Sequence, residues 1–191
     1  MIDLKYKEKF YPLPASITYS NMFLGLLAIF ASMAGDYHSL KYGGLLILAA
    51  SLSDKLDGYM ARKLNMTSDL GRELDSLCDL VSFGLAPMLL AWNMGMAGLG
   101  WNFILAASFY IGAGIFRLAR YNVGDGGDYI AGLPITLAGG VLALKYLLDL
   151  GYRPGSVLAL RENLLLIIIL GLLMVLDFKL KKPNIIDKDL F

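Results

Sequence analysis

The chain has 191 residues, 57% of them hydrophobic, with a mean hydropathy of +0.60 and a formal net charge of +1. That length suits one domain, 1–191, and the near-neutral charge argues against nucleic acid as a partner. One cysteine, Cys78, excludes an internal disulfide, and one histidine, His38, excludes a catalytic His pair. The apolar residues come in runs long enough to span a bilayer. The expected fold class is therefore an all-α integral membrane protein, with about six transmembrane helices and a short N-terminal interfacial segment.

Residues 1–14 interleave Lys5, Lys7 and Lys9 with Ile2, Leu4, Tyr6, Phe10 and Tyr11, before Pro12 and Pro14 break the run. This is either a basic, aromatic juxtamembrane segment on an anionic surface or a frayed tail. The first span, 16–34, is too long for a signal peptide, and further spans follow it. The second, 40–62, ends in a polar stretch beginning at Asp54, and 63–68 is a loop in which Thr67, Ser68 or Asp69 can cap the next helix. The third extends from about 69 to 97, with Trp92 and Trp101 as interfacial aromatics at its far end. The fourth covers 101–122 and is followed by a Gly/Asp-rich loop, 124–128. The fifth covers 131–149 and the sixth 156–177, leaving a basic tail over 178–191. Cys78 reads as a small packed hydrophobe and His38 as a polar loop residue.

Basic residues set the orientation. With the N-terminus in the cytoplasm, six spans return the C-terminus there. Cytoplasmic ends then hold Lys5, Lys7, Lys9, Arg62, Lys63, Arg72, Arg117, Arg120, Lys179, Lys181, Lys182 and Lys188. The outer side holds only Lys41, Lys145, Arg153 and Arg161. Twelve against four satisfies the positive-inside rule and predicts a multi-pass cell-membrane protein with both termini in the cytoplasm.

The second and third spans contain Asp54, Asp57, Asp75 and Asp79. An aspartate near the centre of a spanning helix costs roughly 2.5–3.5 kcal/mol, so four unpaired ones would cost on the order of 10–14 kcal/mol. Divalent cations offset such a penalty, because carboxylates are their preferred hard ligands. Spacings of three and four residues put each pair on one helix face. If the helices run antiparallel from the 63–68 loop, all four carboxylates converge about 10–12 Å from one membrane face. That face is the cytoplasmic one.

The order Asp54-x-x-Asp57-Gly58-x-x-Ala61-Arg62, eight residues, then Gly71-x-x-x-Asp75-x-x-x-Asp79 resembles the signature of the CDP-alcohol phosphatidyltransferases at every position. The resemblance implies metal-dependent phosphoryl transfer with Mg²⁺ or Mn²⁺, two ions held by Asp54, Asp57, Asp75 and Asp79. It implies that Asp79 also acts as general base, since an alcohol is a poor nucleophile until its proton is taken. Asp54, Asp57, Gly58, Ala61 and Arg62 would line the cytidine diphosphate site from one helix. Ser68, Gly71, Arg72 and Asp75 would line it from the other side. A homodimer is also implied.

Two further stretches resemble the branch of that family that uses serine. They are Val81-Ser82-Phe83-Gly84-Leu85-Ala86-Pro87, and Phe116-Arg117-Leu118-Ala119-Arg120-Tyr121-Asn122 followed by Gly132-Leu133-Pro134. Tyr121 stands where that branch more usually has Phe. The expected reaction joins a CDP-diacylglycerol-type lipid and L-serine, releasing CMP in phospholipid synthesis. Serine carries a carboxylate, and Arg117 and Arg120, three residues apart on one helix, could grip it; Arg120 lies nearer the entry side. The competing reading has both arginines snorkelling to headgroups. Other acceptors, glycerol phosphate or inositol phosphate, remain alternatives. So does a cation transporter, since buried carboxylates also mark ion paths, although Gly-x-x-Ala-Arg has no obvious role there.

Overall fold

The structure, a computed structural model, describes residues 12–63, 69–123, 129–176 and 179–181, with side chains described over 19–56, 70–123 and 132–176. Helix α1 (Pro12–Met33) starts earlier than the sequence suggests. Its two prolines fall in the first turn, where a missing N–H is no loss. Asp36 follows the intervening turn, and its Oδ2 accepts the Ser39 N–H at 3.0 Å. That bond caps α2 (Tyr37–Lys63), so His38 lies in a first helical turn rather than in a loop. At 1.5 Å per residue α2 is roughly 40 Å long, against a hydrocarbon core of about 30 Å. Its polar C-terminal turns therefore belong near one membrane face.

Residues expected to form one uniform third span are helical in three pieces: α3 (Asp69–Asp79), a π-helical segment (Leu80–Leu85) and α4 (Ala86–Asn93). A turn and a 3₁₀ segment (Met96–Leu99) end the span short of residue 97. The remaining helices are α5 (Trp101–Val123), α6 (Ile135–Tyr152) and α7 (Val157–Val175). The fifth span begins four residues later than expected. Pro134 disfavours helix in the residue before it, and Tyr129–Ala131 (β1) instead pairs antiparallel with Lys179–Lys181 (β2). This two-stranded ribbon ties the chain before α6 to the chain after α7.

The stretches Leu70–Asn93, Trp101–Val123, Ile135–Tyr152 and Val157–Val175 are long and apolar enough to cross a bilayer, and Tyr19–Met33 is a shorter apolar helix. The chain is an all-α membrane protein. α1 lies along α2, α2 along α6, and α5 along α7, while the π segment touches α1, α2, α3, α4, α5 and α6. Ile47, Phe83, Leu90, Tyr110, Leu142, Tyr146 and Ile167 form the fully buried centre, and Cys78 is buried beside it.

The π segment has a cause in the sequence. In a regular helix the Phe83 carbonyl would accept from residue 87, but Pro87 has no N–H to give and its ring crowds that carbonyl. The Tyr110 hydroxyl supplies the missing donor, reaching Phe83 O at 3.0 Å. Neighbouring helices approach closely here. A Cβ on Gly25 would collide with Ser82 Oγ, and one on Gly139 would stand 2.7 Å from Phe83 Cβ. Only glycine admits α1 and α6 at that separation.

Candidate active site

Asp54 comes from α2, and Asp75 and Asp79 from α3, one turn apart. The structure brings one carboxylate oxygen of each within 4.8 Å of the others. Asp54 and Asp75 are partly buried and Asp79 is buried. Among the described residues no lysine or arginine forms an ion pair with any of them, and the buried Asp75 Oδ1 has no hydrogen-bond partner. Three carboxylates this close repel one another, and in a low-dielectric setting that repulsion is strong. A hard cation is the complement that this donor set fits.

Two neutral side chains support the buried member. Asn21 on α1 donates from Nδ2 to Asp79 Oδ1 at 3.0 Å. Thr136, in the first turn of α6, donates from Oγ1 to Asp79 Oδ2 at 3.4 Å. Four elements thus meet at Asp79. Nearby, Asn122 Nδ2 donates to Ser76 Oγ at 3.0 Å, joining the end of α5 to α3. Sequence reasoning did not single out Asn21, Thr136 or Asn122. The available signal was an isolated amide, Asn21, ahead of an apolar helical run, and a threonine two residues after Pro134 of the Gly132-Leu133-Pro134 stretch.

The other expected residues divide. Gly71 and Arg72 occupy the first turn of α3 and are exposed. Asp57, Gly58, Ala61 and Arg62 lie on the last turns of α2. Their side chains, and all of Ser68, lie outside the described residues. Arg117 and Arg120, expected as equivalent candidates, occupy different settings. Arg117 is 8% exposed. Its Nε is buried with no hydrogen-bond partner among the described residues, and its guanidinium carbon sits 5.9 Å from the centre of the Tyr121 ring. The charges it faces include Asp79 and Asp54. Arg120 donates to the Met174 and Val175 carbonyls, both at 3.3 Å. It therefore caps the C-terminal end of α7, whose carbonyls lack intrahelical partners.

The sequence profile described as CDP-alcohol phosphatidyltransferase matches residues 11–176. The chain belongs to the CDP-alcohol phosphatidyltransferase family. A CDP-diacylglycerol–serine O-phosphatidyltransferase of Bacillus subtilis is 39% identical over 143 residues, covering 74% of this chain and 77% of its own. One from Methanocaldococcus jannaschii is 37% identical over 170 residues, covering 88% and 73%. An archaetidylserine synthase of Methanothermobacter thermautotrophicus is 36% identical over 150 residues, covering 77% and 63%. Membership makes the chain a phosphotransferase of a family that depends on divalent metal in general, and the aspartate cluster has the donors for one.

Proposed function

We propose that this chain transfers the phosphatidyl group of CDP-diacylglycerol, or of an ether-linked analogue, to the hydroxyl of L-serine and releases CMP. The observation that carries the reading is the trio Asp54, Asp75 and Asp79, brought together with no ion-paired lysine or arginine among the described residues and faced by the buried Arg117. The serine names of the relatives favour that acceptor. Asp57, one turn along α2 from Asp54, completes the ligand set, and Mg²⁺ or Mn²⁺, two ions, fits it. When bound, such ions would neutralise the diphosphate and the departing CMP.

The chain's own residues supply the remainder. Asp79, oriented by Asn21 and Thr136, takes the serine hydroxyl proton as the new O–P bond forms and the bond to CMP breaks. Gly58, Ala61 and Gly71 would leave room for the nucleotide against the helix backbone, and Arg62, Ser68 and Arg72 are the proposed contacts of its diphosphate. Arg117 grips the serine carboxylate, because a planar guanidinium matches it in two-pronged fashion. Arg120 is the weaker candidate, since two of its nitrogens already serve α7. The asymmetry of basic residues supports a site open to the cytoplasm, with both termini on that side. A homodimer in the cell membrane is part of the same reading.

An acceptor panel tests the proposal. Detergent-solubilised protein given CDP-diacylglycerol and Mn²⁺ or Mg²⁺ should release CMP with L-serine. CMP release with glycerol phosphate or inositol phosphate, and none with serine, would overturn it.

A further inference from the structure

We infer that Asn21 is a positioning residue for the transfer: α1 carries the donor that fixes how the Asp79 carboxylate faces the reacting groups. The inference rests on the reading of Asp79 as base and ligand. Asn21 is fully buried and its Nδ2 makes the shorter of the two bonds that Asp79 receives from neutral side chains. A carboxylate has about four lone-pair sites. Asn21 takes one site on Oδ1 and Thr136 one on Oδ2, which fixes the plane of the carboxylate, so the sites left for a proton or a cation have a defined direction.

The donor is itself held. Ser82 Oγ donates to the Asn21 backbone carbonyl at 3.0 Å, and Gly25, one turn along α1, lies directly against Ser82. The π segment that begins immediately after Asp79 thus grips the same turn of α1 that reaches back to Asp79. This closed loop sets the carboxylate by two helices rather than by one rotamer. Packing alone does not account for the residue. The buried Asn21 Oδ1 has no hydrogen-bond partner among the described residues, and an amide with an unmade bond is a costlier filler than leucine. Ser32, the other buried polar residue in the described part of α1, donates to Ile29 O of its own helix and has no further hydrogen bond among the described residues.

The test compares Asn21→Leu with wild type in the full-length, detergent-solubilised protein, with Asn21→Ser as a second variant should leucine impair folding. Serine hydroxyl is too short to reproduce the amide's reach to Asp79. Positioning predicts a kcat lower by about 10–100-fold, the usual loss when a residue orienting a metal ligand is removed. KM for CDP-diacylglycerol and for serine should stay within about threefold, as expected when only a transition-state interaction is lost, and the melting temperature should not fall. Ser32→Ala should match wild type. A structural role for Asn21 predicts instead a lower melting temperature with unchanged kcat per folded molecule, and that outcome overturns the inference. So does a lipid KM that rises in step with the fall in kcat. Asp79→Asn serves as the reference: if it retains wild-type turnover, the reading of Asp79 fails, whereas an inactive Asp79→Asn beside an active Asn21→Leu sinks the positioning role alone.

Discussion

Two clusters of carboxylates, each with one buried member, occupy opposite ends of this molecule, and they are built on opposite rules. At the far end of α6, Asp149 is buried, yet both its oxygens receive Lys145 Nζ at 2.6 Å, and Oδ2 also accepts from Asn163 at 2.8 Å. Glu162 joins Lys145 and Arg153 at 3.3 Å each. At the other end Asp54, Asp75 and Asp79 each bring a carboxylate oxygen within 4.8 Å of the others, and the described donors to Asp79 are neutral. Thr136 and Asp149 are separated by thirteen residues of one helix, or roughly 20 Å. The far cluster is internally neutralised and serves as a brace between α6 and α7. Among the described residues the near cluster has no ion-paired cation, and that difference supports its reading as the working site.

The largest effect should come from breaking the near cluster. Asp75→Asn should lower transfer by more than the roughly 10–100-fold seen when residues supporting a metal ligand are lost. With metal chelated, its melting temperature should equal or exceed that of wild type, because a repulsive charge has gone. Serine-dependent CMP release and a thermal melt in chelator check both halves. Next is the cation that the near cluster faces. Arg117→Lys should weaken serine affinity by on the order of 1.5–3 kcal/mol, the value of a charge-assisted hydrogen bond. CDP-diacylglycerol saturation should change little, and Arg120→Lys should leave serine affinity alone. Unchanged serine curves for Arg117→Lys would remove Arg117 from the site.

The far cluster should respond in the opposite currency. Asp149→Leu leaves Lys145 and Asn163 without their acceptor and should cost about 1–3 kcal/mol of stability, with kcat per folded molecule unaltered. Thermal melts paired with turnover decide this. Loss of turnover without loss of stability would blur the contrast between the two ends. The smallest effect belongs to Asp36, fully exposed at the start of α2, where the Ser39 side chain and then its backbone N–H hold the carboxyl below its ordinary value of 3.8. A depressed acid adds stability above its unfolded value and loses it as pH falls through the folded one. Asp36→Asn should therefore differ slightly from wild type above that window and converge with it below, in melts followed across acid pH.

The grouping of Asp54, Asp75 and Asp79 was legible because helix spacing is local: residues three or four apart share one face, whatever the rest of the chain does. Asn21 and Thr136 were not, since each reaches Asp79 across more than fifty residues of sequence, and only packing brings α1 and α6 to it. Pro87 was visible inside an apolar run, but the π segment also needs the Tyr110 hydroxyl, which arrives from another helix. The ribbon between Tyr129–Ala131 and Lys179–Lys181 was hidden for a similar reason: three residues on each side carry no strand periodicity. Arg117 and Arg120 read alike from sequence. They part only where the end of α7 takes one of them.

Direct titration of Mn²⁺ tests the central claim, with free ion followed by paramagnetic resonance in wild type, Asp75→Asn and Asp149→Leu. The account predicts saturable binding in wild type and in Asp149→Leu, weakened more than about 100-fold in Asp75→Asn. Equal binding by Asp75→Asn and wild type would contradict it.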